Sequence, residues 1–180
     1  MGKMVTELSA LLVKQQSTYG TAEGSLNGSN GIETIGAAEW SHEPDVTEIL
    51  LVGNGFDQDK AVPGAGMYEI TASAYMRTGN AASDYGQIET LLLTSGMTSS
   101  GASTIRTYQF TSTRDEYVDA TCWGYTGDKT ASGSLLRKMS NVFFRPKWTL
   151  ESGKPTVMEV TGQGVYGGTA TSATMPSITK

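Results

Sequence analysis

The eleven residues from Met67 to Arg77 alternate without a break. Tyr68, Ile70, Ala72, Ala74 and Met76 fall on one side, and Glu69, Thr71, Ser73, Tyr75 and Arg77 on the other. A period of two places successive side chains on opposite faces of a pleated strand, so this segment is expected to have one core face and one wet face. A long strand cannot be stable alone, which requires the chain to supply partners. Further β-like runs are read at Val46–Val52, Thr104–Thr113, Glu116–Thr126, Ser134–Leu150 and Thr156–Thr161. Tyr108 and Phe110 share a face, as do Tyr117, Asp119, Thr121, Trp123 and Tyr125. Pro146 interrupts one run and predicts a bulge or an edge there.

One helix is expected, over residues 84–95. Asp84 and Gln87 form a start resembling a capping box. Ile88, Leu91, Leu92 and Ser95 recur at i, i+3, i+4, i+7, and Gly96 stands where a left-handed residue ends a helix. The first 38 residues read as an N-terminal arm and connector. Leu8, Leu11 and Leu12 lie at helical spacing, which fits a short amphipathic helix or a docking arm. Residues 17–38 are rich in Gly, Asn and Ser, and Gly53–Gly66 reads as a long loop. The β domain is placed at 39–162. Residues 163–180 have no obvious core face and are read as a flexible tail or one held by a neighbour.

Composition narrows the class. The 180 residues are only 38% hydrophobic and 17% charged, with 22 Gly. One domain with many turns fits, whereas a highly charged disordered chain or a heptad coiled coil does not. The net charge of -5 disfavours a protein that grips nucleic acid, because the basic residues cluster only at Arg137, Lys138, Arg145 and Lys147. One Cys and one His exclude an internal disulfide and disfavour a structural zinc site. No apolar run reaches ~18 residues, so no helical membrane span is expected. Leu8–Val13 is too short for a signal core, and Met1–Thr6 matches a myristoylation pattern only by its brevity.

The motifs that could carry chemistry are weak. Gly162-x-Gly164-x-x-Gly167 matches a dinucleotide fingerprint, but no helical pattern follows to hold a pyrophosphate. Asp57-Gln58-Asp59 opens like a calcium loop, yet Val62 and Tyr68 stand where Gly and Glu are needed. His42 beside Glu43 is the one candidate imidazole base, and it sits in loop-like sequence. Glu116 and Asp119 are three apart, hence on opposite strand faces, and do not form a glycosidase pair. Cys122 reads as a small buried hydrophobe. Tyr117, Trp123 and Tyr125 could stack sugars, but such residues are more often core or interface. No catalytic residue, cofactor or metal is expected.

The landmarks taken in order resemble the major tail tube protein of long-tailed bacteriophages. Lys14-x-x-Ser17-x-Tyr19-Gly20-Thr21 resembles that family's arm. Glu43-Pro44 precedes a strand and a Gly/Pro loop. The strand Tyr68–Arg77 runs into Thr78-Gly79-Asn80-Ala81-Ala82. Tyr85-Gly86-x-x-x-x-Leu91-Leu92-x-x-x-Gly96 resembles the family's helix, with Tyr85 where Trp is commoner, and Gly153-x-Pro155 precedes a strand ending at Gly162. The resemblance spans residues 8 to 162.

That resemblance implies a mainly β fold with one flanking helix and two packed antiparallel sheets. It implies hexameric rings that share an inner β-barrel and stack into a tube, the conduit for DNA ejected into a host. The implied partners are further copies and the tail-initiation, tape-measure and tail-terminator proteins, with DNA passing transiently and no membrane. The implied location is the virion tail, after assembly in the host cytoplasm. Six copies would carry about -30 per ring, which discourages DNA from sticking. The lumen-facing candidates are Glu69, Thr71, Ser73, Arg77, Asp119 and Glu159. The inter-ring or inter-subunit candidates are Leu8, Leu11, Leu12, Tyr19, Phe56, Asp57, Asp59 and Lys60. The alternative is a β-sandwich module that binds carbohydrate or a receptor, with Trp123 or Tyr125 at its site.

Overall fold

The computed structural model describes residues 8–43, 46–49, 60–63, 67–76, 86–101, 105–113, 117–127, 133–168 and 170–177. Among them the elements are β1 (Leu8–Gln15), a 3-10 turn (Gly28–Asn30), β2 (Gly31–Ile32), β3 (Glu39–Glu43), β4 (Val46–Ile49), β5 (Lys60–Pro63) and β6 (Met67–Tyr75). After these come α1 (Gly86–Leu93), β7 (Met97–Ser100), β8 (Thr107–Phe110), β9 (Ala120–Gly127), β10 (Ser134–Thr149), β11 (Val157–Tyr166) and β12 (Thr171–Ala173). The described residues are mostly β with one short helix.

An eight-stranded antiparallel sheet runs β2-β1-β9-β10-β11-β6-β3, with β12 also on β10. Two hairpins, β4-β5 and β7-β8, stand apart from it. The sheet is curled rather than flat. Leu11, Val13, Ala120 and Cys122 come from one end of the strand order and Ile70, Ala72 and Ala74 from the other, yet all share one core. The Trp40 indole on edge strand β3 lies directly on Gly124 of β9, so the two ends of the sheet meet.

The bend is in β10. Its 16 residues pair with β9 as far as Val142 and with β11 from Met139 onward. Both ladders gain one residue on β10 beside Asn141, whose φ is +53°. Such a bulge bends a strand and sharpens its twist, which lets one strand serve two layers. It also resets the alternation, so Met139, Val142 and Phe144 all face the main core. The expected bulge is therefore at Asn141. Pro146 lies beyond the last β9 partner, on an edge with no strand beside it among the described residues, where a missing N–H breaks no ladder.

The helix closes the core. Leu91 and Leu92 are buried and Ile88 packs beside them, as the 3.6-residue pattern requires. The hydroxyls of Thr94 and Ser95 donate to the carbonyls of Thr90 and Leu91, at 2.7 and 2.6 Å. Gly96 then turns the chain at φ +76°. The capping residue Asp84 lies outside the described residues.

Three expectations are corrected. Leu8–Gln15 is a strand between β2 and β9, and neither a helix nor a free arm. Its two faces are both covered: Leu11 and Val13 enter the main core, while Ala10 and Leu12 enter a second one with Leu26, Tyr125, Leu136 and Met175. The tail is not loose. Residues 163–166 complete β11, Thr171–Ala173 pair with Ser134–Leu136, and Met175 is buried. Part of the supposed loop 53–66 is a strand, since Lys60–Pro63 pair with Val46–Ile49.

Candidate functional site

A broad, largely polar surface is formed by the outer face of β3, β6, β11 and the second half of β10. Its rows can be read from the register. Glu39, Thr71, Thr161 and Arg145 lie side by side across the four strands. Ser41, Glu69, Gln163 and Phe143 form the next row, and Ser73, Glu159 and Lys147 another. Behind this face Ile70, Ala72, Ala74, Met158, Val160 and Phe144 point into the core. The pleat thus separates a dry side from a wet one, although the wet side also carries the exposed apolar residues Met67, Tyr75 and Val165.

Polar contacts on the face are cross-strand and sparse. The Gln163 side-chain amide donates to the Glu69 carboxylate at 3.0 Å. Lys147 and Glu159 approach to 3.7 Å, with side chains 74% and 45% exposed, so the pair contributes little. Among the described residues Glu39 and Arg145 have no ion-pair partner.

The structure brings Glu69, Thr71, Ser73 and Glu159 together on this face. Asp119 does not join this face: it precedes β9, in the other half of the sheet, where partial burial raises its carboxyl above the usual range. Arg77 lies outside the described residues. Arg145 and Lys147 belong to the face and were missed, because the bulge at Asn141 shifts the alternation that would have revealed them. The basic stretch is accordingly divided. Arg145 and Lys147 lie past the bulge, whereas Lys138 lies before it, with its ammonium over the Trp123 ring at 4.7 Å. The face carries acids and bases together rather than a uniform negative lining.

The contact candidates scatter. Leu11 and Leu12 are 1% and 0% exposed inside the chain's own cores, a correction to their assignment as contact residues. Leu8 opens β1 and Lys60 opens β5. Phe56, Asp57 and Asp59 lie outside the described residues. Tyr19 is 78% exposed on a tight turn, where Thr21 N–H donates to the Thr18 carbonyl. That turn is pinned. Glu23 accepts from Lys14 at 2.7 Å and from the Ser17 N–H and hydroxyl at 2.8 Å each, while its own N–H donates to the Thr121 hydroxyl. The Lys14 contact first, then Ser17, lowers the Glu23 carboxyl to about 2.

The weak motifs find structural explanations. Gly162 and Gly164 lie in β11, where a Cβ would collide with Phe144, Val142 and the Ser140 carbonyl, and Gly167 meets Lys138. These glycines serve strand packing. Cys122 is fully buried, and burial pushes its thiol pKa up. Among the described residues no three His, Cys, Asp or Glu side chains are grouped to hold a metal, and no helix is long and apolar enough to cross a membrane.

No family model matches the sequence, and no curated protein does. Solved structures do. The chain is similar to the SPP1 tail tube, at 11% identity and a TM-score of 0.48, covering 92% of this chain and 78% of that one. A second is the tail of an empty GTA particle with C6 symmetry, at 11% identity and a TM-score of 0.44, covering 91% and 95% of the two chains. A third is a PVC extracellular contractile injection system sheath–tube complex, at 12% identity and a TM-score of 0.44, covering 92% and 88%. Likeness of this degree concerns the general fold and assigns no residue a role.

Proposed function

We propose that this chain is a structural, non-enzymatic tube subunit whose β3-β6-β11-β10 face lines a lumen. The observation that carries this is the pairing of a wet sheet face with two bare edges. Among the described residues β3 pairs only with β6, and β10 has no strand beside it after Val142. Bare edges invite pairing with another chain. The four strands alternate in direction, so copies of equal orientation would meet with β10 antiparallel to the next β3. Such head-to-tail contacts close into a ring. With six copies, as the sequence resemblance implies, roughly two dozen strands at ~4.8 Å spacing and ~40° tilt enclose a barrel about 45–50 Å across. That is wide enough to pass DNA.

Stacked rings would then form the conduit of a virion tail, assembled in the host cytoplasm on initiation and tape-measure proteins and closed by a terminator. Tyr19, held on its pinned turn, and the hairpin opened by Lys60 are the proposed ring-to-ring contacts. Lumen contacts are proposed for Glu69, Thr71, Ser73 and Glu159.

The lumen assignment has a direct chemical test. Cys122 is buried and is expected not to react with thiol reagents, so Thr71→Cys introduces a single reporter. The new thiol is expected to react readily with a bulky maleimide in the monomer and to be protected in long tubes, where the reagent enters only from the ends. Equal labelling in monomer and tube would place Thr71 outside the lumen.

A further inference from the structure

We propose that Tyr68 and Tyr166 form a site of oxidative cross-linking, at which a one-electron oxidant joins the two rings into a dityrosine that staples β6 to β11. The register brings them together. Tyr68 lies directly opposite Gly164, and Tyr166 is the next residue on the same face of β11. A side chain at position 164 is excluded, because its Cβ would lie 2.7 Å from the Ser140 carbonyl oxygen and from a Val142 methyl. The place beside Tyr68 is therefore left to the diagonal neighbour, which an aromatic side chain can reach. The two rings stack with centroids 4.4 Å apart and planes at 19°.

The hydroxyls of the pair hydrogen-bond to each other. Stacking with the two oxygens together points both rings the same way, so the ortho carbons beside those oxygens also face each other. Both residues are half-buried, within reach of a small oxidant. Burial first, then Tyr166, raises the Tyr68 phenol above its ordinary value of 10, with Arg137 opposing, so near neutral pH Tyr68 gives up a proton with its electron. In the proposed step the oxidant takes one electron from each phenol, and each hydroxyl proton passes to water. The unpaired electrons of the two phenoxyl radicals pair in one carbon–carbon bond between ortho carbons. The hydrogens on those carbons leave as protons and the oxygens are reprotonated. The product keeps both phenols, and the chain has lost two hydrogen atoms. Contact between the rings favours this coupling over reactions between chains. The new bond closes a loop of roughly 100 residues, which restricts the unfolded chain as a disulfide does.

The test exposes the dilute full chain to brief illumination with ruthenium tris-bipyridyl and persulfate. The expected product is a monomer with dityrosine fluorescence, two hydrogens lighter, whose tryptic digest links residues 61–77 to residues 148–180. Tyr75 shares the first of these peptides, so variants assign the residue. Tyr68→Phe and Tyr166→Phe keep the stacked ring, and each should lower the linked product at least about tenfold, whereas Tyr75→Phe should leave it unchanged. Oxidation in concentrated urea should also abolish the link, because the fold is what holds the rings together. The linked chain is expected to melt roughly 10 °C higher than the untreated one. No link between these peptides in the folded wild type, a link that survives either substitution at Tyr68 or Tyr166, or one that forms as readily in urea would overturn the inference. A linked chain that melts no higher would overturn the stapling role. None of these outcomes depends on assembly, so the tube reading stands or falls separately.

Discussion

Phe144→Ala should cost about 3–5 kcal/mol and lower the melting temperature by roughly 10 °C. Phe144 is 1% exposed and stands at the bend where β10 leaves one half of the sheet for the other. Opposite it on β11 is Gly162, and a Cβ there would lie 2.6 Å from the Phe144 ring and 2.8 Å from a Val142 methyl. The ring therefore fills the space that the glycine leaves empty. Gly162→Ala alone should cost about 1–3 kcal/mol by overpacking. In the double variant the new methyl enters the void left by Phe144, so the summed losses should exceed the observed loss by at least about 1 kcal/mol. Strict additivity in chemical denaturation would show that the two positions do not share one space. The same close fit explains a glycine run that otherwise looks like a nucleotide motif.

Gly124→Ala is expected to destabilise by about 2–3 kcal/mol for a different reason. A Cβ at Gly124 falls within the Trp40 indole. Trp40 is carried by edge strand β3, which among the described residues pairs only with β6. The indole must lift away, loosening the contact that joins the two ends of the curled sheet. Trp40→Ala removes the collision, so Gly124→Ala should cost almost nothing in that background. Because β3 is one of the strands proposed to line the lumen and to meet the next copy, Gly124→Ala should weaken assembly more than Gly162→Ala does at matched monomer stability. Equal assembly by the two variants would mean that β3 takes no part in contacts between copies.

How much could be read from the chain before its structure depended on how many faces each element buries. β6 has one dry face, so its alternation was legible residue by residue. The helix has one apolar stripe and a glycine stop, and both were found. β1 buries both faces, which turns Ala10–Val13 into a continuous apolar run that periodicity cannot assign. β10 was visible as a strand, but the extra residue at Asn141 changes which of its positions face out. Arg145 and Lys147 were hidden by that shift. β12 is three residues long and draws its stability from Ser134–Leu136, a partner far away in sequence. Asp119 shares parity with Trp123 and Tyr125, which marks a face but not which half of a folded sheet the face belongs to.

The same distinction governs the candidate site. Glu69, Thr71 and Ser73 follow from local alternation, and Glu159 from its own short run. Their assembly into one surface follows only from the strand order. The low hydrophobic fraction of 38% fits this architecture. One broad sheet face remains wet, and among the described residues the outer edge of β3 and that of β10 past Val142 have no strand beside them.

Negative-stain electron microscopy of the purified full chain, taken through a concentration series, tests the central claim most directly. Tubes with a central channel and a regular repeat of about 40 Å, the height of one small domain, are the expected result. A folded chain that remains monomeric at every concentration, and does not polymerise on a tail-initiation complex, would contradict it.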